Sequence, residues 1–197
     1  MRFKNIVLLT VSLVCCLTAS AQAVPSNSFG LEPGQISVME VGLGYSYFHA
    51  NAPPSGCGCF SLQGGYGSIA VNAVHGWSIV ADLTAAHANN VNNTDQNITI
   101  FNYLVGPRYS YHSSIRFTPY VEALVGGAKE MSNYSYVQDA NGFAVSAGGG
   151  LNMRLSRRLG WTVVEADYVY TRLPNASNNF QSDLRVSSGF FFRLGPR

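Results

Sequence analysis

Asp183-Leu-Arg-Val-Ser-Ser-Gly-Phe-Phe-Phe-Arg-Leu194 alternates with a period of two. Leu184, Val186, Ser188, Phe190, Phe192 and Leu194 share one face, and Arg185, Ser187, Gly189, Phe191 and Arg193 share the other. Such alternation marks a strand between two different environments. A soluble sheet would supply an apolar core and water. A transmembrane barrel inverts the pattern, with lipid outside and a polar lumen inside. Two arginines on one face, aromatics gathered at the end, and no amphipathic helix to cover a sheet favour the membrane.

Composition points the same way. Only 11% of residues are charged, against roughly 25% in ordinary soluble domains. Tyrosines number 11 and glycines 20. At the N-terminus, Arg2 and Lys4 precede an apolar run from Ile6 to Leu17, and Ala21-Gln22-Ala23 closes it. These are the parts of a secretory signal peptide over residues 1–23. Cys15 and Cys16 raise a lipoprotein signal as the rival, but neither follows the small residue a lipobox requires. Without Arg2 and Lys4 the formal net charge of +2 falls to near zero, which argues against nucleic acid as a partner. No later stretch reaches the ~18 consecutive apolar residues of a spanning helix.

Residues 24–35, rich in Pro, Gly and Ser, read as a lead-in without regular structure. From residue 36 the chain resolves into eight alternating stretches. Met39, Val41, Leu43, Tyr45 and Tyr47 oppose Glu40, Gly42, Gly44 and Ser46. Ile69 and Val71 oppose Tyr66 and Ser68, and Trp77, Ile79 and Leu83 oppose Ser78, Asp82 and Thr84. The pattern continues through Tyr103 against Arg108, Val121 against Glu122, Phe143 against Ala144, and Tyr168 against Glu165 and Asp167. Long polar breaks at 49–59, 88–96, 129–141 and 173–181 alternate with short turns near His75-Gly76, His112-Ser113 and Leu155–Gly160. That order predicts an all-β, eight-stranded antiparallel up-and-down transmembrane β-barrel over residues 36–197, in a bacterial outer membrane. Strands of about 11–13 residues suit a tilted span. Outward aromatics at both strand ends supply the two interfacial girdles.

Three motifs carry a family likeness: Tyr103-Leu-Val-Gly-Pro-Arg108, Thr118-Pro-Tyr-Val-Glu-Ala-Leu-Val-Gly-Gly127 and Val164-Glu-Ala-Asp-Tyr-Val-Tyr170. In this order the chain resembles the OmpA-like, or opacity-type, outer-membrane β-barrel domain family across nearly all of its mature length. The resemblance implies the same eight-stranded barrel and no single activity, since members serve as anchors, adhesins or surface proteins. Ending at Arg197, the chain is expected to lack the separate peptidoglycan-binding domain of longer relatives. The spacing Ser187-x-Gly189-x-x-Phe192-x-Leu194 also resembles the C-terminal assembly signal of outer-membrane barrels, although Gly195-Pro196-Arg197 follow it.

Among the chemistry-bearing residues, the inward charges dominate: Glu40, Asp82, Arg108, Glu122, Arg154, Glu165, Asp167, Arg185 and Arg193. They could line an ion path or pair across a lumen that eight strands leave just wide enough for side chains. Both signs are present, and buried charges require partners, so a structural network is the preferred reading, with Glu122 linked to Arg108 or Arg154. Cys57-Gly58-Cys59 could bind a soft metal or exchange thiols, but no nearby His or Cys completes a zinc set. A local disulfide between Cys57 and Cys59 is preferred, and no metal site or cofactor is expected. An enzyme of the lipid A-modifying kind would need Ser, His and a carboxylate together. His112-Ser113 falls in a periplasmic turn, and His87 lies near the outer rim beside Asn89 and Asn90, so no triad can assemble.

The sequence thus predicts a non-enzymatic barrel with a structural or surface-interaction, adhesin-like role. Its partners would be outer-membrane lipid, the barrel insertion machinery and an unidentified extracellular ligand met by loops 49–59, 88–96, 129–141 and 173–181. The rival function is a narrow pore or transporter for small or apolar solutes. The assembly signal is directly testable by outer-membrane abundance after fractionation. Phe192→Ser should leave secretion intact but cause periplasmic accumulation, whereas deletion of 195–197 should do little. The reverse pattern would move the signal elsewhere.

Overall fold

The computed structural model describes residues 39–52, 58–73, 75–89, 97–111, 116–132, 140–172 and 181–195. The proposed signal peptide 1–23 and lead-in 24–35 lie outside them. Eight strands follow one another: β1 (Met39–Ala52), β2 (Gly58–Asn72), β3 (Trp77–Ala88), β4 (Ile98–Ser110), β5 (Phe117–Ser132), β6 (Ala140–Arg154), β7 (Leu159–Arg172) and β8 (Gln181–Leu194). Each pairs antiparallel with the next, and β8 returns to β1 to close the barrel. The closing seam runs from Met39 opposite Leu194 to His49 opposite Leu184. Every strand therefore has two neighbours, and among the described residues no sheet edge is left open.

Inward and outward faces follow the alternation of the sequence. Leu43 (67%), Leu83 (64%) and Val121 (61%) stand exposed on the outside. Asp82, Glu122, Glu165, Asp167 and Arg185 are buried within. This is the reverse of a soluble barrel, and it suits hydrocarbon outside. Trp77 lies opposite Tyr109 across β3 and β4, with ring centroids 5.2 Å apart. Trp161 and Phe190 make the corresponding pair on β7 and β8, at 6.4 Å. On the same short-turn side, Phe117, Phe192 and Leu194 are also exposed. At the other end Tyr47 and Ser61 share a hydrogen bond of 2.6 Å, and Tyr168 donates to Ser182 at 2.7 Å. Both girdles thus anchor their rings to the neighbouring strand.

Six of the eight strands run longer than the alternation suggested, up to 16 residues in β5, while β3 and β4 keep to 12 and 13. A tilted span requires only about 9–11. Parts of the expected loops 49–59 and 129–141 are strand instead: Asn51 pairs with Cys59 and Glu130 with Ala140. The ladder continues past lipid depth because backbone pairing remains favourable after the side chains turn polar. The centres of the four long connections, 53–57, 90–96, 133–139 and 173–180, lie outside the described residues.

Two local features fix the register. His75 and Gly76 both take left-handed conformations, with φ of 56° and 85°. Gly76 also approaches Ser110 so closely that an added Cβ would lie 2.5 Å from its carbonyl oxygen. Only glycine meets both demands without strain. On β7 the pairing shifts between Thr162 and Glu165, a β-bulge around Val163. A bulge frees backbone groups, which hydrocarbon cannot solvate. Ser188, the one polar residue among the outward positions between Leu184 and Leu194, meets that need. Its hydroxyl donates to the Thr162 carbonyl at 3.0 Å and accepts the Trp161 indole N–H at 3.1 Å.

The exposed apolar belt predicts a depth-dependent response to charge. Leu83→Arg, midway along β3, should weaken folding into phospholipid vesicles by about 2–4 kcal/mol. Leu155→Arg, in the β6–β7 turn, should cost no more than about 1 kcal/mol. Urea titration in vesicles measures both, and equal losses would contradict the placement of the belt.

Candidate functional site

The lumen is built by inward positions on successive strands, and its centre is Arg185 of β8. Arg185 is 1% exposed, so each of its donors requires a protein partner. Nε donates to Asp167 Oδ2 at 2.9 Å, and Nη2 reaches the same oxygen at 2.7 Å and Glu165 Oε1 at 2.9 Å. Nη1 donates to Asp82 Oδ1 at 2.7 Å and Thr84 Oγ1 at 2.9 Å. Thr84 in turn donates its hydroxyl hydrogen bond to Asp82 Oδ1 at 2.8 Å. Five donor contacts are thereby satisfied, and one side chain joins β8 to its neighbour β7 and across the lumen to β3. Glu122 on β5 lies 3.9 Å from Nη2.

Arg108 of β4 forms the second node. Nε and Nη2 both reach Glu122 Oε2 at 2.6 Å, and Nη2 lies 3.5 Å from Glu165 Oε2. The guanidinium sits 4.3 Å from the centroid of the Tyr120 ring, a cation–π geometry. Tyr120 in turn donates its hydroxyl proton to Glu165 Oε2. Arg108, Glu122, Glu165 and Arg185 therefore form a continuous path of ion pairs, with Asp82 and Asp167 at its far side. Each charge is solvated by the protein rather than by water.

The remaining inward charges lie elsewhere. Glu40 and Arg193 pair at 2.8 Å across the β1–β8 seam, with side chains 14% and 27% exposed, at the short-turn rim. Arg154 is exposed at the end of β6 and is not brought into the buried cluster. Of the two partners expected for Glu122, the structure selects Arg108. His87 stands on the outer face, bonded to Thr99 at 2.8 Å and Asn89 at 2.7 Å. The His112-Ser113 pair and Cys57 lie outside the described residues, as does the Cys59 side chain.

Small residues face inward on β1 and β6, and the space they leave is taken by side chains of neighbouring strands. A Cβ at Gly148 would collide with Asp167, one at Gly150 with the Tyr120 hydroxyl, and one at Gly44 with the Tyr66 ring. The glycines seat a carboxylate and two tyrosines because these lie on the adjoining or facing strands, while the guanidiniums run between carboxylates.

The alternation also understated the apolar share of the lumen. Towards the long-loop end, Phe48, Leu62, Ala86, Ala88, Ile98, Ile100 and Val169 pack into one cluster. Ala70, Val80, Leu104, Leu124, Ala128 and Ala144 form another. Leu62 and Val80 are completely buried. Towards the short-turn end a cavity of about 10 Å³ remains between Glu40, Tyr66, Arg108 and Glu165, room for about one water. Their inward parity was readable, but a polar expectation for the lumen hid its meaning.

Oxygens of Glu122, Glu165 and Asp167 lie within 4.8 Å of one another, close enough to share a cation. In this structure Arg185 has that role: its Nη2 contacts Glu165 and Asp167 directly. A metal ion would have to displace a guanidinium held by several bonds.

No protein-family model and no curated protein sequence matches this chain. Solved structures do match its fold. Neisserial surface protein A aligns with a TM-score of 0.62 at 12% identity, covering 79% of this chain and 97% of its own. Ail, the attachment invasion locus protein of Yersinia pestis, aligns at 0.58 and 12% identity, covering 81% and 100%. The N-terminal β-barrel domain of Pseudomonas aeruginosa OprF aligns at 0.51 and 16%, covering 82% and 100%. The fold is that of small bacterial outer-membrane β-barrels, and the apolar outer belt agrees with it.

The network predicts a graded loss of stability. Arg185→Met strands Asp82, Glu165 and Asp167 and should cost about 3–5 kcal/mol. Arg193→Met, at the hydrated rim, should cost about 1 kcal/mol or less. The temperature at which the folded band disappears in unheated gels ranks the two. Equal shifts would mean that the buried cluster contributes no more than the rim pair.

Proposed function

We propose that this protein is a non-conducting outer-membrane anchor that presents its long connections to an extracellular partner, without catalysis. Residues 1–23 would serve as its export signal and 24–35 as a lead to the barrel. The filled lumen carries the reading. Arg185 bridges the interior in ion pairs with β3 and β7, and Phe48 and Leu62 lie in the apolar cluster towards the long-loop end. A hydrated ion would have to break several buried ion pairs and then cross an apolar plug. Chemistry is thereby displaced to the loops 49–59, 88–96, 129–141 and 173–181.

Those loops are rich in Asn, Ser and Tyr, and their few charges lean acidic: Lys129 stands against Asp95, Glu130 and Asp139. Ail has been seen bound to the heparin analogue sucrose octasulfate. The loops here offer little positive charge for a polysulfated ligand. Hydrogen bonding and ring stacking suit an uncharged surface better, such as neutral glycan or a polar protein face.

Planar-bilayer recording of the folded protein tests the closed lumen. It should show no ion-sized conductance steps. Arg185→Ser with Phe48→Ala, which opens both barriers, should produce steps if the variant folds. Steps in the native protein would favour the narrow pore and overturn the anchor.

A further inference from the structure

Positive charge is concentrated at one end of the barrel. Arg116 precedes β5, Arg154 ends β6, and Arg157 and Arg158 lie in the turn before β7. All four are exposed. The backbone draws them together: the Arg154 N–H donates to the Arg116 carbonyl at 3.0 Å, and the Arg193 N–H to the Arg158 carbonyl at 2.8 Å. Among the described residues, no carboxylate forms an ion pair with these four. The one acidic residue described at this rim, Glu40, already holds Arg193.

The surroundings identify the kind of partner. Leu155 sits among these arginines and is 46% exposed. Immediately towards the barrel wall stand Phe117, Trp161, Phe190 and Phe192, the aromatic collar of the same strands. A row of guanidiniums just beyond an aromatic collar occupies headgroup depth. A leucine between arginines favours an interface with hydrocarbon on one side. Short turns mark this end as periplasmic. We propose that the arginine rim of β5–β8 docks anionic phospholipid headgroups of the periplasmic leaflet. Guanidinium and phosphate match in charge and in bidentate geometry. The opposite quarter of the rim, around Trp77, lacks such a cluster among the described residues, so lipid selectivity should be one-sided.

The chain's two tryptophans allow this to be read directly. Trp77→Phe leaves Trp161 beside the arginines, and Trp161→Phe leaves Trp77 as the control. Each is folded into vesicles of phosphatidylcholine containing a minority of brominated phosphatidylglycerol or brominated phosphatidylcholine. Trp161 should be quenched by the anionic lipid as though it were enriched roughly fivefold, the selectivity of about one phosphate contact. Trp77 should show no enrichment. Arg154→Gln, Arg157→Gln and Arg158→Gln together should abolish the difference, as should high salt. Equal quenching of Trp161 by both lipids, or selectivity that survives the triple substitution, overturns the proposal. Unselective lipid quenching with arginine-dependent sedimentation on cell-wall sacculi would overturn it too, assigning the rim to the wall. The inference rests on the membrane-barrel reading, and failure to fold into vesicles of any composition would count against that reading instead.

Discussion

Hydrocarbon offers no hydrogen bond to a peptide group, and each unpaired N–H or C=O within it costs several kcal/mol. The chain meets this by pairing β8 with β1, so that the last strand and the first become neighbours. Much else follows. Closure with eight strands leaves an interior only wide enough for side chains. The exterior must be apolar, and the interior must accept whatever polar groups the other face carries. Even the exception obeys the rule: where the β7 bulge breaks the ladder, Ser188 supplies the missing partner to the Thr162 carbonyl.

Inside, closure converts polarity into a constraint. Asp82, Glu122, Glu165 and Asp167 would be untenable singly in so narrow a space. Arg185 and Arg108 bind them into one arrangement across β3, β4, β5, β7 and β8. Arg108–Glu122 and Arg185–Asp167 join directly opposite ladder partners, while Arg185–Asp82 crosses the lumen, so together they select the pairing in which all charges meet. A slip of one residue would turn Arg185 towards lipid. The network is thus better understood as a specifier of register than as a net source of stability.

Strand order, closure and the facing of nearly every residue were legible in the period-two pattern, because lipid and lumen impose opposite chemistry on adjacent positions. Glu122 could be narrowed to two arginines by strand adjacency, but not to one. Arg154 shares the inward parity of Arg108, yet it lies at a strand end, and depth is not encoded in parity. The β7 bulge was invisible for a related reason. Val163 and Val164 are both apolar, so either phase reads as lipid-compatible. The seats at Gly148 and Gly150 depend on the stagger between strands, which sequence leaves undetermined. Strand ends were misjudged where polar residues continue the ladder into water, as at Asn51 and Glu130.

The two ends of the barrel are chemically unlike, and this follows from what each must meet. The long-loop end combines an apolar lumenal cluster around Leu62 with connections that are sparsely charged, mildly acidic and rich in amides and hydroxyls. Such loops can hydrogen-bond without strong long-range attraction, so any recognition there would depend on contact geometry rather than on field. The short-turn end gathers Arg116, Arg154, Arg157 and Arg158 over half the rim. Charges so placed act over about a Debye length, roughly 8–10 Å. They can therefore bias which lipids adjoin the barrel and how its rim sits in the leaflet. The same eight strands thus hold two surfaces with different physics, one on either side of a lumen lined by the Arg185 network and the apolar cluster around Leu62.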